Sequence, residues 1–310
     1  MYLLPKEITG YEIEITSNCN ARCPDCSRTR LLEKNQLIIN EININDFKNW
    51  FSKEYVENKR FYFCGALGDA VVHKDCMLFI DHLKSLNAKS IEVVTNGSIK
   101  KPNWWAELAL KANVVFSIDG LEDTNHIYRK NTSFKKIIEN AKSFIDAGGE
   151  ATWEYLIFDH NEHQIEEAKH LAKKLKFKEI IFKKTARRMK MKKDTRQYED
   201  TDEYLKKINT YKINCKWKKD KRLFISCYNE LFPCCHFNWP TYYSKILNKK
   251  YNDFNNLNYF TIEEILNHNF YKFDLEKSWL SDKKYECCAL KCNVKTGNIK
   301  WRKNDQKTTF

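Results

Sequence analysis

Three thiols crowd into eight positions near the start of the chain. The stretch "CNARCPDC", residues 19–26, spaces Cys19, Cys23 and Cys26 as C-x3-C-x2-C. Clustered cysteines in a reducing compartment more often bind metal or do chemistry than form disulfides. A structural zinc closes its coordination sphere with four protein ligands. Three thiolates suit another use: they hold three irons of a [4Fe–4S] cluster and leave the fourth open to a small molecule. A zinc reading needs a fourth ligand here, for which His73 and Asp25 are the available side chains.

Seven further cysteines of the chain's 12 fall between 215 and 292: Cys215, Cys227, Cys234, Cys235, Cys287, Cys288 and Cys292. No histidine pairs with them at zinc-finger spacing, apart from the ambiguous "CCH" at 234–236. Thiolate ligation of a metal is therefore the leading reading of both groups. Cys64 and Cys76 read as small hydrophobes, one in a strand and one on the inner face of a helix.

The elements that must position these thiols alternate between two hydrophobic periods. Strand-like stretches are "YEIEIT" (11–16), "RFYFCG" (60–65), "SIEVVT" (90–95), "NVVFSI" (113–118), "ATWEYLIF" (151–158) and "KEIIFK" (178–183). Between them the 3.6-residue period predicts helices over 73–86, 134–145 and 165–175. Six strands with intervening helices mean repeated βα units and a parallel sheet. The loops "CGALGD", "TNGS" and "SIDG" follow strand C-termini, which puts the site at that edge, as in α/β barrels. The cysteine loop follows the first strand and shares that edge.

In this setting the sequence resembles the radical S-adenosylmethionine (SAM) superfamily over roughly residues 10–185. "GALGDAVVHKD" (65–75) is similar to the family's G-G-E-P segment, with Gly68 and Asp69 in place of Gly–Glu; the resemblance implies that this segment receives the SAM amino group. "TNGS" (95–98), with Asn96, stands where the family often has T-N-G. "FSIDGLEDTNHIYRKNTSF" (116–134) resembles a segment whose Ser and Arg lie near the SAM ribose and carboxylate, roles carried onto Ser117 and Arg129. "HNEHQIEEA" (160–168) resembles the segment after strand five and brings Asn161 toward the adenosyl group. One departure is Asp25, where the family often has an aromatic residue beside the adenine. The wording of these segments is similar to a branch also met in viruses of marine bacteria. The resemblance implies that SAM chelates the open iron and that an electron from the cluster cleaves it to a 5′-deoxyadenosyl radical, which abstracts hydrogen from a substrate.

The C-terminal cysteines resemble the auxiliary-cluster region of SPASM and twitch members. "CKWKKDKRLFISCYNELFPCC" has a cysteine before a hairpin that ends in a P-C-C-like stretch, and "SWLSDKKYECCALKC" supplies the late group. The shorter twitch version, with one auxiliary [4Fe–4S] cluster, fits the cysteine count. Cys215, Cys234, Cys288 and Cys292 are the chosen ligands, with Cys235 and Cys287 as second choices and Cys227 as core. The fold expected is thus α/β: a partial (β/α)6 TIM-like barrel over 1–190, a basic linker and connecting helix over 191–212, and a small cysteine-rich twitch domain over 213–310.

With 310 residues and a net charge of +13, the chain has ample core material and a basic bias. Part of that bias is local, since "KKTARRMKMKKDTR" (183–196) holds eight basic residues and one acidic one. Such a run is a solvated linker or an attraction for RNA, a nucleotide-linked substrate or an acidic peptide. No apolar run approaches the ~20 residues that span a bilayer, and no secretory signal is visible, so a cytoplasmic protein without membrane contact is expected. The leading expectation is a radical SAM enzyme with two [4Fe–4S] clusters and SAM, fed by an electron donor such as a flavodoxin or ferredoxin. Its substrate is unidentified: a small molecule, a sugar or a peptide. An RNA-modifying enzyme and a non-catalytic zinc-stapled binding protein are the alternatives; nucleic acid is not favoured, because aromatics do not interleave with the basic run. Trp153, Tyr155, Tyr242 and Tyr243 are no better as hydrogen donors than as core aromatics.

Overall fold

Strands form where the period-2 stretches lie. The computed structural model describes residues 2–185, 202–237, 253–295 and 306–310. The strands are β1 (Gly10–Ile13), β2 (Arg60–Phe63), β3 (Ser90–Thr95), β4 (Asn113–Ser117), β5 (Ala151–Ile157), β6 (Glu179–Lys184), β7 (Arg222–Ile225), β8 (Leu231–Phe232) and β9 (Gln306–Thr309). Most of the basic run, and Tyr242 and Tyr243, lie outside the described residues.

The chain divides into two compact units: residues 13–189 with 304–310, and residues 1–12 with 190–303. In the first, β2 to β6 pair in sequence order, each parallel to the next, with Phe61 opposite Ile91, Val93 opposite Val114, Phe116 opposite Trp153 and Trp153 opposite Ile180. Parallel strands need helical crossovers, and these bury aromatic side chains against the sheet. Trp105, Phe116, Phe144, Phe177 and Trp153 form one continuous contact series, and Phe47, Phe51, Phe61 and Phe79 another.

The helix Phe134–Asp146 shows how local chemistry sets these elements. Ser133 caps its start by accepting the Lys136 N–H, and Ile137, Ala141 and Phe144 face the core. At its end Gly148 takes φ +88°, a conformation that favours glycine. The Gly148 and Gly149 amides then donate to Ile145 and Phe144, closing the helix as a Schellman motif.

Each end of the chain joins a unit built mostly from distant sequence. Tyr2 is buried and its N–H donates to the Tyr271 carbonyl, so the N-terminal segment packs with the C-terminal unit. Residues 306–309 return as β9, antiparallel to β6, where they satisfy the edge of the parallel sheet. In the second unit β7 and β8 form the expected antiparallel hairpin. Cys227 is fully buried, in the turn of that hairpin and not in a strand. Among the described residues, no helix is long and apolar enough to cross a membrane.

Candidate functional site

The loops after β1 to β5 meet at one edge of the parallel sheet. Cys23 is buried with Ala21, Tyr128 and Phe158, and Cys19, Cys26 and Leu156 pack against the same group. Thus the three thiols gather beside an aromatic pair, Tyr128 and Phe158, whose ring centroids lie 4.5 Å apart. His160 stacks on Phe158 at 5.3 Å. Cys26 ends the loop as the N-cap of the helix Ser27–Glu33. Asp25 reaches that turn with φ +59°, which Asp tolerates better than an aromatic residue does. Its carboxylate pairs with Arg30 at 3.4 Å.

Asp69 anchors the second loop. Its Oδ2 accepts the Thr95 hydroxyl at 3.0 Å, the Asn96 backbone N–H at 2.8 Å and the Asn96 side-chain N–H at 2.7 Å, while Oδ1 accepts the Val71 N–H at 3.2 Å. Three of these four donors crowd Oδ2, while Oδ1, with two lone pairs, takes one. Through two of these bonds Asp69 orients Asn96. From there the Asn96 amide donates to Asn20 Oδ1 at 3.0 Å and reaches Cys19 Sγ at 3.9 Å. Asn20 in turn donates to the Ser98 hydroxyl at 2.8 Å. Burial, then the Asp69 charge, push the Cys19 thiol up to about 12; burial likewise raises Asp69, against the donors that hold it charged.

Gly68 lets this loop approach the first one. A Cβ there would lie 1.7 Å from the Thr16 carbonyl oxygen. The Leu67 and Gly68 amides donate to the buried Glu14 carboxylate at 2.6 and 3.1 Å.

Ser117 lies buried at the end of β4. Two residues on, Asp119 has no exposed surface and is the hub of the remaining loops. Its Oδ2 accepts Arg129 Nε at 2.6 Å and its Oδ1 the Leu156 N–H at 2.7 Å. Burial opposes the Arg129 charge, and Asp119, Cys23 and Tyr128 more than offset it. Asn161 is fully buried and donates to the Asp119 and Leu156 carbonyls, both at 3.0 Å, while accepting the Phe158 N–H at 2.7 Å. These bonds close the 156–161 loop. Glu14, Asn20, Asp119, Tyr128 and Phe158 had no assigned role from sequence. Asp119 alone had a signal, as the acid of "SIDG".

Other side chains are accounted for. His73 uses both ring nitrogens, Nε2 with the Ile42 carbonyl at 3.1 Å and Nδ1 with the Asp75 N–H at 3.0 Å, and so is not a spare ligand for the cysteine loop. Tyr155 and Trp153 donate to the Asn161 and Ile118 carbonyls, at 2.8 Å each, as core aromatics do. Cys76 is buried at the start of the helix Cys76–Ser85.

In the other unit Cys215, Cys234, Cys235, Cys287, Cys288 and Cys292 come together from three places in the sequence. Burial raises the Cys234 thiol, as do the charges of Cys235, Cys288 and Cys215; the Cys292 thiol is raised by its hydrogen bond with Cys215, by burial and by the charges of Cys215, Cys234 and Cys288. Cys288 and Cys292 lie four apart on the helix Glu286–Cys292 and so share a face. Cys215 caps the helix Lys216–Lys219, accepting the Lys218 N–H at 3.4 Å. A hydrogen bond from Cys292, with backbone donors, lowers the Cys215 thiol to about 6. Cys287 is adjacent. Among the described residues no three His, Cys, Asp or Glu side chains sit close enough to share a single ion. One zinc holds its sulfurs at about 2.3 Å; a four-iron cluster places each thiolate on a different iron and needs no such crowding.

The chain matches no protein-family model and no curated protein. Solved structures do match. Native anSMEcpe with bound AdoMet superposes with a TM-score of 0.57 at 16% identity, over 91% of this chain and 88% of that one. Streptococcus suis SuiB bound to S-adenosylmethionine gives 0.55 at 15% identity, over 74% of this chain and 61% of that one. This chain thus spans 61% of the length of that SuiB structure. The fold is shared. At such identities the likeness extends to the fold alone, and it bears out the mixed α/β, parallel-dominated architecture expected from the βα repeats.

Proposed function

We propose that this protein is a radical SAM enzyme with one auxiliary [4Fe–4S] cluster, acting on a C–H position of a substrate not yet identified. The observation that carries the reading is the gathering of Cys19, Cys23 and Cys26 at the sheet edge, while His73 is engaged elsewhere and Asp25 pairs with Arg30. Three thiols match a cluster with one open iron, and the donor set is wrong for a closed zinc site. A bound cluster supplies the electron for reductive cleavage of SAM, the source of the hydrogen-abstracting radical. The chain's own residues bind and orient. Cys19, Cys23 and Cys26 hold the cluster; Gly68 keeps the second loop close, and Asp69 holds Asn96 toward the cofactor. Ser117 and Arg129 take the ribose and carboxylate of SAM, while Asn161 supports the loop below them. Tyr128 and Phe158 keep water from the thiol cluster.

Cys215, Cys234, Cys288 and Cys292 hold the auxiliary cluster in this reading. Four thiolates close it against direct substrate ligation, which favours electron transfer. Of the substrate classes, peptides are the first to screen, because structures of SuiB bound to precursor peptide SuiA and of anSMEcpe with bound peptide share this fold. An electron donor such as a flavodoxin or ferredoxin is part of the proposal.

The test is metal content after anaerobic reconstitution, beside a variant with Cys19, Cys23 and Cys26 all changed to Ala. About eight irons falling to about four, with SAM cleaved to 5′-deoxyadenosine only by the parent, is the expected result. Zinc with little iron, or iron unaffected by the triple change, would refute it.

A further inference from the structure

The auxiliary cysteine group carries a hydrogen bond that ligand holding does not require. Trp279 Nε1 lies 3.4 Å from Cys288 Sγ. An indole N–H can only donate, so this contact places a donor on a sulfur whose residue is 4% exposed. The Trp279 ring is fixed from two sides. Tyr2 meets it edge-on at 6.2 Å, and the Lys218 ammonium stands 6.0 Å over its face, tethered by Glu276. Tyr2 differs in kind: its hydroxyl lies 3.8 Å from Cys215 Sγ, but it donates to the Pro233 carbonyl at 3.1 Å.

We infer that Trp279 is a positioning residue that raises the reduction potential of the cluster held by Cys288, an inference that rests on the auxiliary-cluster reading. Reduction adds one negative charge to a cluster and its thiolates. A donor hydrogen bond to a ligand sulfur stabilises the reduced form more than the oxidised form, and hydrogen bonds to sulfur and burial are established levers on such potentials. The donor acts in a dry site, where its partner is buried and water does not compete. Trp279 thereby biases the group toward accepting an electron.

The test is a mediated redox titration followed by electron paramagnetic resonance. It uses the full-length chain with Cys19, Cys23 and Cys26 changed to Ala, so that only the auxiliary cluster titrates. Trp279→Phe keeps an aromatic ring and removes the donor; Lys218→Arg alters the packing on the same ring face while keeping the positive charge and the indole N–H. With Trp279→Phe, about four irons are expected to remain. The reduced-to-oxidised ratio at the parent midpoint should fall roughly tenfold, which is about 59 mV for one electron. Lys218→Arg should move the midpoint far less. An unchanged midpoint with iron retained would overturn the inference and leave the cluster reading standing. Equal shifts in the two variants, or iron lost in Trp279→Phe alone, would assign Trp279 to packing and overturn it too. Absence of iron from the triple-Ala parent would defeat the cluster reading itself, and this inference with it.

Discussion

Removing the Asp119 carboxylate should do more damage than any other single change at the sheet edge. Asp119 is fully buried and takes Arg129 Nε on one oxygen and the Leu156 N–H on the other. Arg129 keeps only 13% of its side chain exposed, so water cannot replace the lost partner well. Breaking one side of a buried ion pair costs about 3–5 kcal/mol, because the remaining charge stays desolvated. The stranded Leu156 amide adds about 1–3 kcal/mol. These terms overlap, and roughly 5 kcal/mol is the expected loss in Asp119→Ala, comparable to the whole stability of many domains. The assay is urea unfolding of the unloaded chain, with hydrogen exchange at the Leu156 amide as the local readout. Adding Arg129→Met removes the orphaned charge, so the double variant should recover about 2 kcal/mol or more relative to the sum of the single changes. A cost under about 1 kcal/mol for Asp119→Ala, or strict additivity in the double variant, would refute the reasoning.

Two other outcomes follow from the geometry. Gly68→Ala forces the loop off the Thr16 carbonyl, since the new Cβ would sit 1.7 Å from that oxygen. A loss of about 1–3 kcal/mol from overpacking is expected, with SAM affinity lowered about tenfold, read by thermal unfolding and calorimetry; unchanged affinity would detach this loop from the cofactor. In the unloaded chain, alkylation of Cys215 should fall off only as pH drops through about 6, because its depressed thiol stays ionised above that value. Cys19, held up to about 12, should react slowly at neutral pH. Cys292→Ala removes the leading donor and should move the Cys215 midpoint upward; coincident midpoints for Cys215 and Cys19 would contradict both assignments.

The βα alternation was legible because burial on a sheet leaves a period of two and on a helix a period of 3.6. For that reason β3 spans 90–95 as read, and the helix at 134 ends one residue past the expected position. The thiol spacing was legible for a similar reason: Cys19, Cys23 and Cys26 are close in sequence, so a loop of that length cannot separate them widely. Cys288 and Cys292 share a helix face by their four-residue step, whereas their approach to Cys215 and Cys234 depends on how distant segments fold. The helix Ser27–Glu33 escaped notice because a cysteine replaces the usual capping residue at its start.

What the sequence by itself determined is the order of elements, the edge on which the loops fall and the residue types they carry. Only the tertiary structure decided what each polar side chain does there. Asp69 orients Asn96 through two of its four donors, and Asn161 closes the 156–161 loop through backbone contacts. Asp119, one acid among 41 acidic residues, became the hub because its partners arrive from 10 and 37 residues away. The same holds for Tyr2, which joins a cysteine 213 positions distant. Periodicity records which face of an element is buried, but a hydrogen bond across loops depends on where two backbones end up in space, and no local pattern encodes that.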